Sequence, residues 1–572
     1  MTEFDLIIKG GRVIDGTGGP ERIADIAILD GKIVEVGKVT GQAARVIDAR
    51  GALVTPGFVD IHTHYDGQVT WSNRLYPSSH HGVTTIVMGN CGVGFAPVKS
   101  TDHDLLIELM EGVEDIPGIA LHEGLPWEWE SFPDYLDYLD GRSYDMDIAA
   151  QLPHAALRVY VMGERGANRE QATADDVAKM KRLTTEAITA GALGFTSSRT
   201  LNHRSSTGAP TPSLTAAREE LIGIGEGVKD AGRGVLEMIS DFKSLDDEFS
   251  ILQEMTEAAG TSMTISLAQG INPQGWKKLL SKIDAANVQG VNMKGQIAPR
   301  AIGILMGFNC TLNPFLQFGV YREIAKLPFE DKIARLKDPS FQQNLLLDAP
   351  QTGGSYLLLS DFSKMWVLGD PPDYEPRAED SIASRAERQG ISPEAFALEA
   401  MLGNDGQQML YTPFANYTEN NLDCCREMIL SDNTVMGLGD GGAHVGTICD
   451  ASFTTFLLSH WGRDRSRGDQ IDLPTLVKAQ SADTAAAVGL LDRGIIAPGM
   501  RADLNVIDFE NLKSHAPKMV HDLPANGKRL EQTTEGYLAT ICNGEVTYEN
   551  GVPTGALPGR LIRGQQANPG NI

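Results

Sequence analysis

Residues 56–64 read Pro56-Gly-Phe-Val-Asp-Ile-His62-Thr-His64. A short apolar run entered through Pro-Gly reads as a strand, and its polar end carries two imidazoles at i and i+2, which face the same side of extended backbone. Downstream, further short apolar runs alternate with helical stretches: Thr84–Met88, Asp147–Ala150, Ala192–Thr196, Gly234–Ile239, Ser262–Ser266, Val291–Lys294 and Thr434–Leu438. With Gly57–Ile61 they make eight candidates, the pattern of βα units on a parallel sheet, and eight favour a closed barrel over an open one. The fold class expected is therefore α/β, a (β/α)8 TIM-like barrel over residues 56–490. The gap from about 310 to 430 is too long for one crossover and is expected to hold a helical insertion.

The flanks read differently. Residues 1–55 are short strands broken by Asp15-Gly16 and Asp30-Gly31, and residues 491–572 return to that pattern around Asn543-Gly544. Asp-Gly and Asn-Gly between apolar runs signal tight hairpins. The two ends are expected to build one small β-sandwich.

Composition bounds the function. The 572 residues carry 49 Lys and Arg against 75 Asp and Glu, a formal charge of −26. That balance repels a phosphate backbone and anionic lipid, so nucleic acid and membrane are not expected partners. No basic start followed by a long apolar segment is present, and a soluble, cytoplasmic protein is expected. Six cysteines without a C-x-x-C pair argue against a disulfide framework.

In a barrel, chemistry gathers at the C-terminal ends of the strands. His62 and His64 at the first end can offer nitrogens to one ion, or form a satisfied polar pair. The second strand ends in Met88-Gly-Asn-Cys91-Gly-Val-Gly94, where Cys91 is either a soft thiolate ligand or core filler. The eighth ends in Gly437-Leu-Gly439-Asp440-Gly-Gly442-Ala-His444, and a carboxylate among glycines suits a ligand or proton acceptor better than packing. Arg199 and His203, after the fourth strand, could clamp a substrate carboxylate or make surface salt bridges. Trp127 and Trp129 could wall an acyl pocket or simply pack a loop. His154 and Arg158 near the third strand could back the site, whereas His80 and His81 precede the second strand and read as structural.

Taken together, residues 56–64, the Asn90–Pro97 segment, Asp440 and the return Ala497-Pro-Gly-Met-Arg-Ala-Asp503 resemble the amidohydrolase superfamily, and within it the branch of N-acyl-D-amino-acid deacylases, or D-aminoacylases. The resemblance implies a metal-dependent hydrolase of linear amides such as N-acyl amino acids. It makes His62, His64 and Cys91 metal ligands and Asp440 the catalytic base and a further ligand, around one or two zinc ions or another divalent metal. A small N-acyl substrate and further copies of the chain are the expected partners. Two departures stand against it. The superfamily's histidines at strands five and six are absent, since no histidine lies between His203 and His444, and the lysine that hydantoinase-like relatives carbamoylate on strand four is missing too. Glu237 and Asp241 are substitute ligands or ordinary capping and ion-pair residues. A cyclic-amide hydrolase and a metal-free binding barrel are the competing readings.

Overall fold

The computed structural model describes residues 3–352 and 359–570. Its middle is built on parallel strands such as Val83–Met88, buried along its whole length; β-branched runs of this kind suit a sheet covered on both faces. Eight parallel strands succeed one another: Phe58–Asp60, Val83–Met88, Asp147–Ala150, Gly194–Arg199, Val235–Ser240, Met263–Ser266, Met293–Ile297 and Thr434–Met436. The first three pair as one arc, and the other five, with the two-residue Leu152–Pro153, as a second. Backbone bonds link the arcs at both ends. Leu193 donates to the Ala150 carbonyl at 2.8 Å, while Thr63 bridges in parallel to Gly441 and the Asp440 amide donates to the His62 carbonyl at 2.9 Å. The polar end of the eighth strand is thereby tied to that of the first.

Helices make the crossovers. Ala174–Ala190, for example, opens with a capping box in which Thr173 and Asp176 satisfy each other's backbone amides, and Gly191 follows its end.

Five strands from residues 4–56 and four from residues 504–553 share a single nine-stranded sheet. Leu53–Pro56 pairs antiparallel with Leu504–Ile507, so both flanking regions meet beside the entry to the first parallel strand. Gly57 makes that entry, and it has to be glycine: a Cβ there would lie 2.2 Å from the Thr84 hydroxyl. A charged quartet, buried Asp147, Arg493 and Asp503 with half-buried Arg501, pins the sheet to the foot of the third parallel strand, with Arg493 2.7 Å and Arg501 2.8 Å from Asp147.

Two regions differ from the sequence expectation. The long insertion is not purely helical, nor does it begin at 310. Ile302–Met306, Trp366–Val367 and Leu410–Ala415 form a three-stranded antiparallel sheet beneath its helices, around a core of its own that includes Phe308, Phe315, Tyr321 and Leu410. The C-terminal region, in turn, does not stay with the nine-stranded sheet. Its hairpin Lys518–Leu523 and Gly527–Glu531 reaches the polar strand ends, where Leu530 donates to the Val445 carbonyl at 2.6 Å and Lys528 to the Asn309 carbonyl at 2.7 Å. Among the described residues no helix is long and apolar enough to cross a membrane.

Candidate metal centre and active site

His62 and His64 leave the first strand on the same side, and the structure brings Cys91 to them from the second. One ligating atom from each of the three lies within 4.8 Å of the others. His62 Nε2 is 3.3 Å from Cys91 Sγ and 3.4 Å from Asp440 Oδ1, and His64 Nε2 is 3.6 Å from the same oxygen. All three are buried, whereas the Asp440 side chain keeps 15% of its surface.

Each member is aimed by neighbours on other strands. Gln296, on the seventh strand, faces His62 Nδ1 through Oε1 at 2.7 Å, and its own Nε2 donates to Thr264 at 2.8 Å. With the amide turned that way, the oxygen accepts from Nδ1–H, leaving the Nε2 lone pair for the centre. Cys91 sits in the left-handed region at φ 53°, where a side chain is strained. Its amide is held by Glu237 Oε2 at 3.0 Å, and the next amide, of Gly92, by the Thr196 hydroxyl at 3.0 Å. Asp440, at φ 47°, lies between glycines for a steric reason: a Cβ on Gly439 would come within 2.3 Å of Asp60 Oδ2.

The electrostatics divide the donors: His64 and Asp440 are in the state a cation needs, whereas Cys91 and Glu237 would have to give up a proton to it. Burial drives the His64 imidazole down to about 4, so it is neutral near pH 7. For Asp440, burial pushes the carboxyl up, but His64, His62 and His444 outweigh it and hold the group well below the usual carboxylate range. Burial pushes Glu237 up to about 7 and the Cys91 thiol well above its ordinary value. Glu237 Oε1 and Glu114 Oε2 are buried without a hydrogen-bond partner. Two imidazoles, a thiol and a carboxylate around one point, with further buried carboxyl oxygens left unsatisfied nearby, are a poor arrangement for protein alone and a good one for a divalent ion.

The remaining expectations divide. His203 lies near enough to this centre for its groups to act on it: it is buried, its Nδ1 meets the Ser198 hydroxyl at 2.9 Å, and burial together with His444 and His64 holds its imidazole at about 3. Arg199 turns the other way. Its guanidinium is taken up by Glu248 and by the Ala216 carbonyl at 2.6 Å, so the structure gives it an ion pair rather than a carboxylate clamp. Trp129 donates to the Phe95 carbonyl at 2.8 Å, and Trp127 stacks on His103 at 3.9 Å between ring centroids. Both contacts are those of a loop packed onto the body of the protein, one of the two readings the sequence leaves open. Asp241, just after the fifth strand, accepts from the Leu201 amide at 2.9 Å and so braces the loop that follows the fourth. His154 bonds Ser197 at 2.7 Å and Glu220 at 2.9 Å within a sealed cluster.

Sequence reasoning missed Gln296, Glu114 and His444. The seventh strand was placed at Val291–Lys294 but runs Met293–Ile297, and that slip hid Gln296. Glu114 ends an ordinary amphipathic helix and gave no signal. His444 closes the glycine-rich run beside Asp440 and could have been found by its place there.

A family model described as "Amidohydrolase family" matches residues 45–548. The chain belongs to the amidohydrolase family. It is similar over nearly its whole length to an N-acyl-D-glutamate deacylase of Alcaligenes xylosoxydans xylosoxydans, 30% identical over 569 residues that cover 98% of this chain and 97% of that protein. A D-aminoacylase of the same organism is 34% identical over 221 residues, and the match spans only 41% of that relative's length. Among solved structures, N-acyl-D-glutamate deacylase from Bordetella bronchiseptica, complexed with zinc and a phosphonate inhibitor, superposes with a TM-score of 0.64 at 22% identity, covering 98% of this chain and 99% of that one. A D-aminoacylase described as having a binuclear metal center gives 0.63 at 23%, covering 98% and 100%. These two likenesses are of fold.

Proposed function

We propose that this amidohydrolase is a metal-dependent deacylase that hydrolyses the linear amide of an N-acyl amino acid, on a closed (β/α)8 barrel over residues 56–490 with a composite β-sandwich from residues 1–55 and 491–572. The observation that carries the reading is the convergence of His62, His64 and Cys91 within 4.8 Å, with Asp440 Oδ1 3.4 and 3.6 Å from the two imidazoles. The names of the relatives, deacylases of N-acyl-D-amino acids, support the substrate class and suggest the D hand.

His62, His64 and Cys91 would hold the ion, with Asp440 at its open edge, and a set of two nitrogens and a sulfur favours zinc. A divalent metal in that place supplies Lewis acidity, bringing the pKa of a water from about 15.7 towards about 7 and polarising a carbonyl. Asp440, ionised and partly exposed, accepts the proton of the attacking water and delivers it to the amine nitrogen as the C–N bond breaks, so that the products are a carboxylate and an amine. Gln296 keeps the His62 lone pair turned inward throughout. His203, neutral and near the same space, lines the substrate side. One ion is the simplest occupancy, because the fifth and sixth strands present Glu237 and Thr264 rather than histidines; a second ion would have to draw on Glu237 Oε1. A cytoplasmic homo-oligomer completes the proposal.

The test is metal analysis of purified protein followed by turnover assays, after chelation and zinc return, on N-acyl amino acids of both hands, carboxylate-free N-acyl amines and hydantoins. About one ion per chain with zinc-restored cleavage of the N-acyl amino acids is expected. Cleavage of cyclic amides alone, or neither metal nor turnover, overturns the reading.

A further inference from the structure

We infer that Glu114 is the positioning residue of the metal centre, fixing the ring of His64 as Gln296 fixes that of His62; the inference rests on the functional reading above. Glu114 is the last residue of the helix His103–Glu114, contributed by the connection between the second and third parallel strands. Its side chain is 1% exposed. No Lys or Arg pairs with it among the described residues. Two histidines come within ion-pair distance of it, and Asp440 and Asp66 also act on it: Oε1 lies 3.1 Å from His64 Nδ1, which makes no hydrogen bond in this structure, and Oε2 lies 3.8 Å from His444 Nε2.

The geometry separates a support from a ligand. His64 turns Nε2 toward Asp440 and Nδ1 toward Glu114, and the two nitrogens lie on opposite edges of the ring. The Glu114 carboxylate therefore stands behind the imidazole as seen from the centre. From there it can accept the Nδ1 proton and leave Nε2 bare, which is how an outer carboxylate sets the tautomer and orientation of a metal-binding histidine. A buried carboxylate without a cationic partner is otherwise costly to keep. The position is also anchored. The Glu114 carbonyl accepts from the Val445 amide at 3.1 Å, and the next residue, Asp115, turns away at φ 53° to accept from Thr311 at 2.8 Å. The support of His64 is thus tied to the same loop that carries Asp440 and His444.

The two supports differ in kind. His62 is backed by an amide and His64 by a carboxyl group, so exchanging that group at residue 114 should change the centre without changing its shape. Glu114→Gln keeps the size and exchanges one oxygen for an amide nitrogen. Titrating metal-free parent and variant with Co2+ or Zn2+ against a competing chelator should show a loss of affinity of roughly 10- to 100-fold, and the visible spectrum of the Co2+ form should shift. Equal affinity and an unchanged spectrum in a folded variant overturn the inference. His444→Ala is the control, and it should leave most of the affinity in place. If it matches Glu114→Gln in full, Glu114 serves His444 and the inference fails. A readout on the unaltered protein guards against a variant that does not fold: 15N-histidine NMR of the zinc form should report His64 with the proton on Nδ1, and a proton on Nε2 overturns the assignment. A parent protein that takes up no metal at all instead removes the functional reading beneath it.

Discussion

Two sets of buried polar side chains stand side by side in this protein, and burial alone does not tell them apart. The inner set, His62, His64, Cys91, Glu237, Glu114 and Asp440, surrounds the convergence of His62, His64 and Cys91 and leaves hydrogen-bonding capacity unsatisfied at His64 Nδ1, Glu237 Oε1 and Glu114 Oε2. In the outer set, Arg199 is matched by Glu248 and Ala216, and His81 by the Thr455 hydroxyl at 2.9 Å and the Gln532 carbonyl at 3.0 Å. The difference teaches where to look for chemistry. A polar group matched by protein partners adds to stability, whereas a cluster left unmatched marks a place built for something else. Changes to the inner set should therefore alter turnover or ion affinity with little loss of stability, and changes to the outer set should do the reverse.

The largest effect is expected at Asp440. Asp440→Asn removes the proton acceptor while keeping its shape, and turnover should fall roughly 10²- to 10⁴-fold. Metal content and thermal midpoint should stay close to those of the parent. Steady-state rates measured beside metal analysis check this, and near-normal turnover would remove the residue from the reaction. Next comes Gln296→Leu, which fills the space but cannot accept from His62 Nδ1. Ion affinity should drop by roughly 10- to 100-fold, read by chelator competition, with the fold intact by circular dichroism. An unchanged affinity would place Gln296 in the outer set.

How far the sequence revealed this arrangement follows from the same contrast. The strands that carry the site are short runs of β-branched and apolar residues, and their order along the chain is visible without coordinates. Their ends are visible only to within a few residues, and the three-residue difference at the seventh strand, Lys294 against Ile297, was enough to hide Gln296. His62, His64, Cys91 and Asp440 stood out because a polar residue at the end of an apolar run or among glycines has no packing purpose. Glu114 did not, because a glutamate ending an amphipathic helix has the ordinary purpose of facing water, and only the fold turns it inward. Arg199 stays open between a clamp and a salt bridge in the sequence for a related reason. It ends a strand at the polar edge, but its neighbour Ser198 is the one facing His203, and alternation along extended backbone sends Arg199 the opposite way.

The outer set gives smaller, thermodynamic effects. Burial holds the His81 imidazole at about 3 in the folded protein, against about 6.5 in an unfolded chain. The folded value is the depressed one, so between these limits the unfolded chain binds the additional proton. The stability contributed by neutral His81 is complete above about pH 6.5 and is lost as pH falls towards 3, at a limiting slope of about 1.4 kcal/mol per pH unit. Denaturant midpoints across that window should fall less steeply in His81→Gln than in the parent, and parallel curves would assign the acid sensitivity to other groups.

The smallest effect, and the sharpest test of the contrast, is at Arg199. Its ion pair with Glu248 is mostly buried, with side-chain exposures of 12% and 16%. Arg199→Ala strands the Glu248 carboxylate and should cost about 1–3 kcal/mol, between the values for exposed and fully buried pairs. Glu248 also accepts from Ser240 at 3.0 Å, at the end of the fifth strand, so the loss should register as weaker packing of the helix Leu245–Ala259 onto that strand. A residue that clamps the substrate carboxylate would behave otherwise. Its removal would raise KM for N-acyl amino acids while leaving carboxylate-free amides unaffected. The pairing with Glu248 leaves the guanidinium no free edge, so the ratio of kcat/KM between the two substrate classes should stay the same in Arg199→Ala as in the parent. A selective loss on the carboxylate substrates would return Arg199 to the inner set and show that its pair with Glu248 opens when substrate arrives.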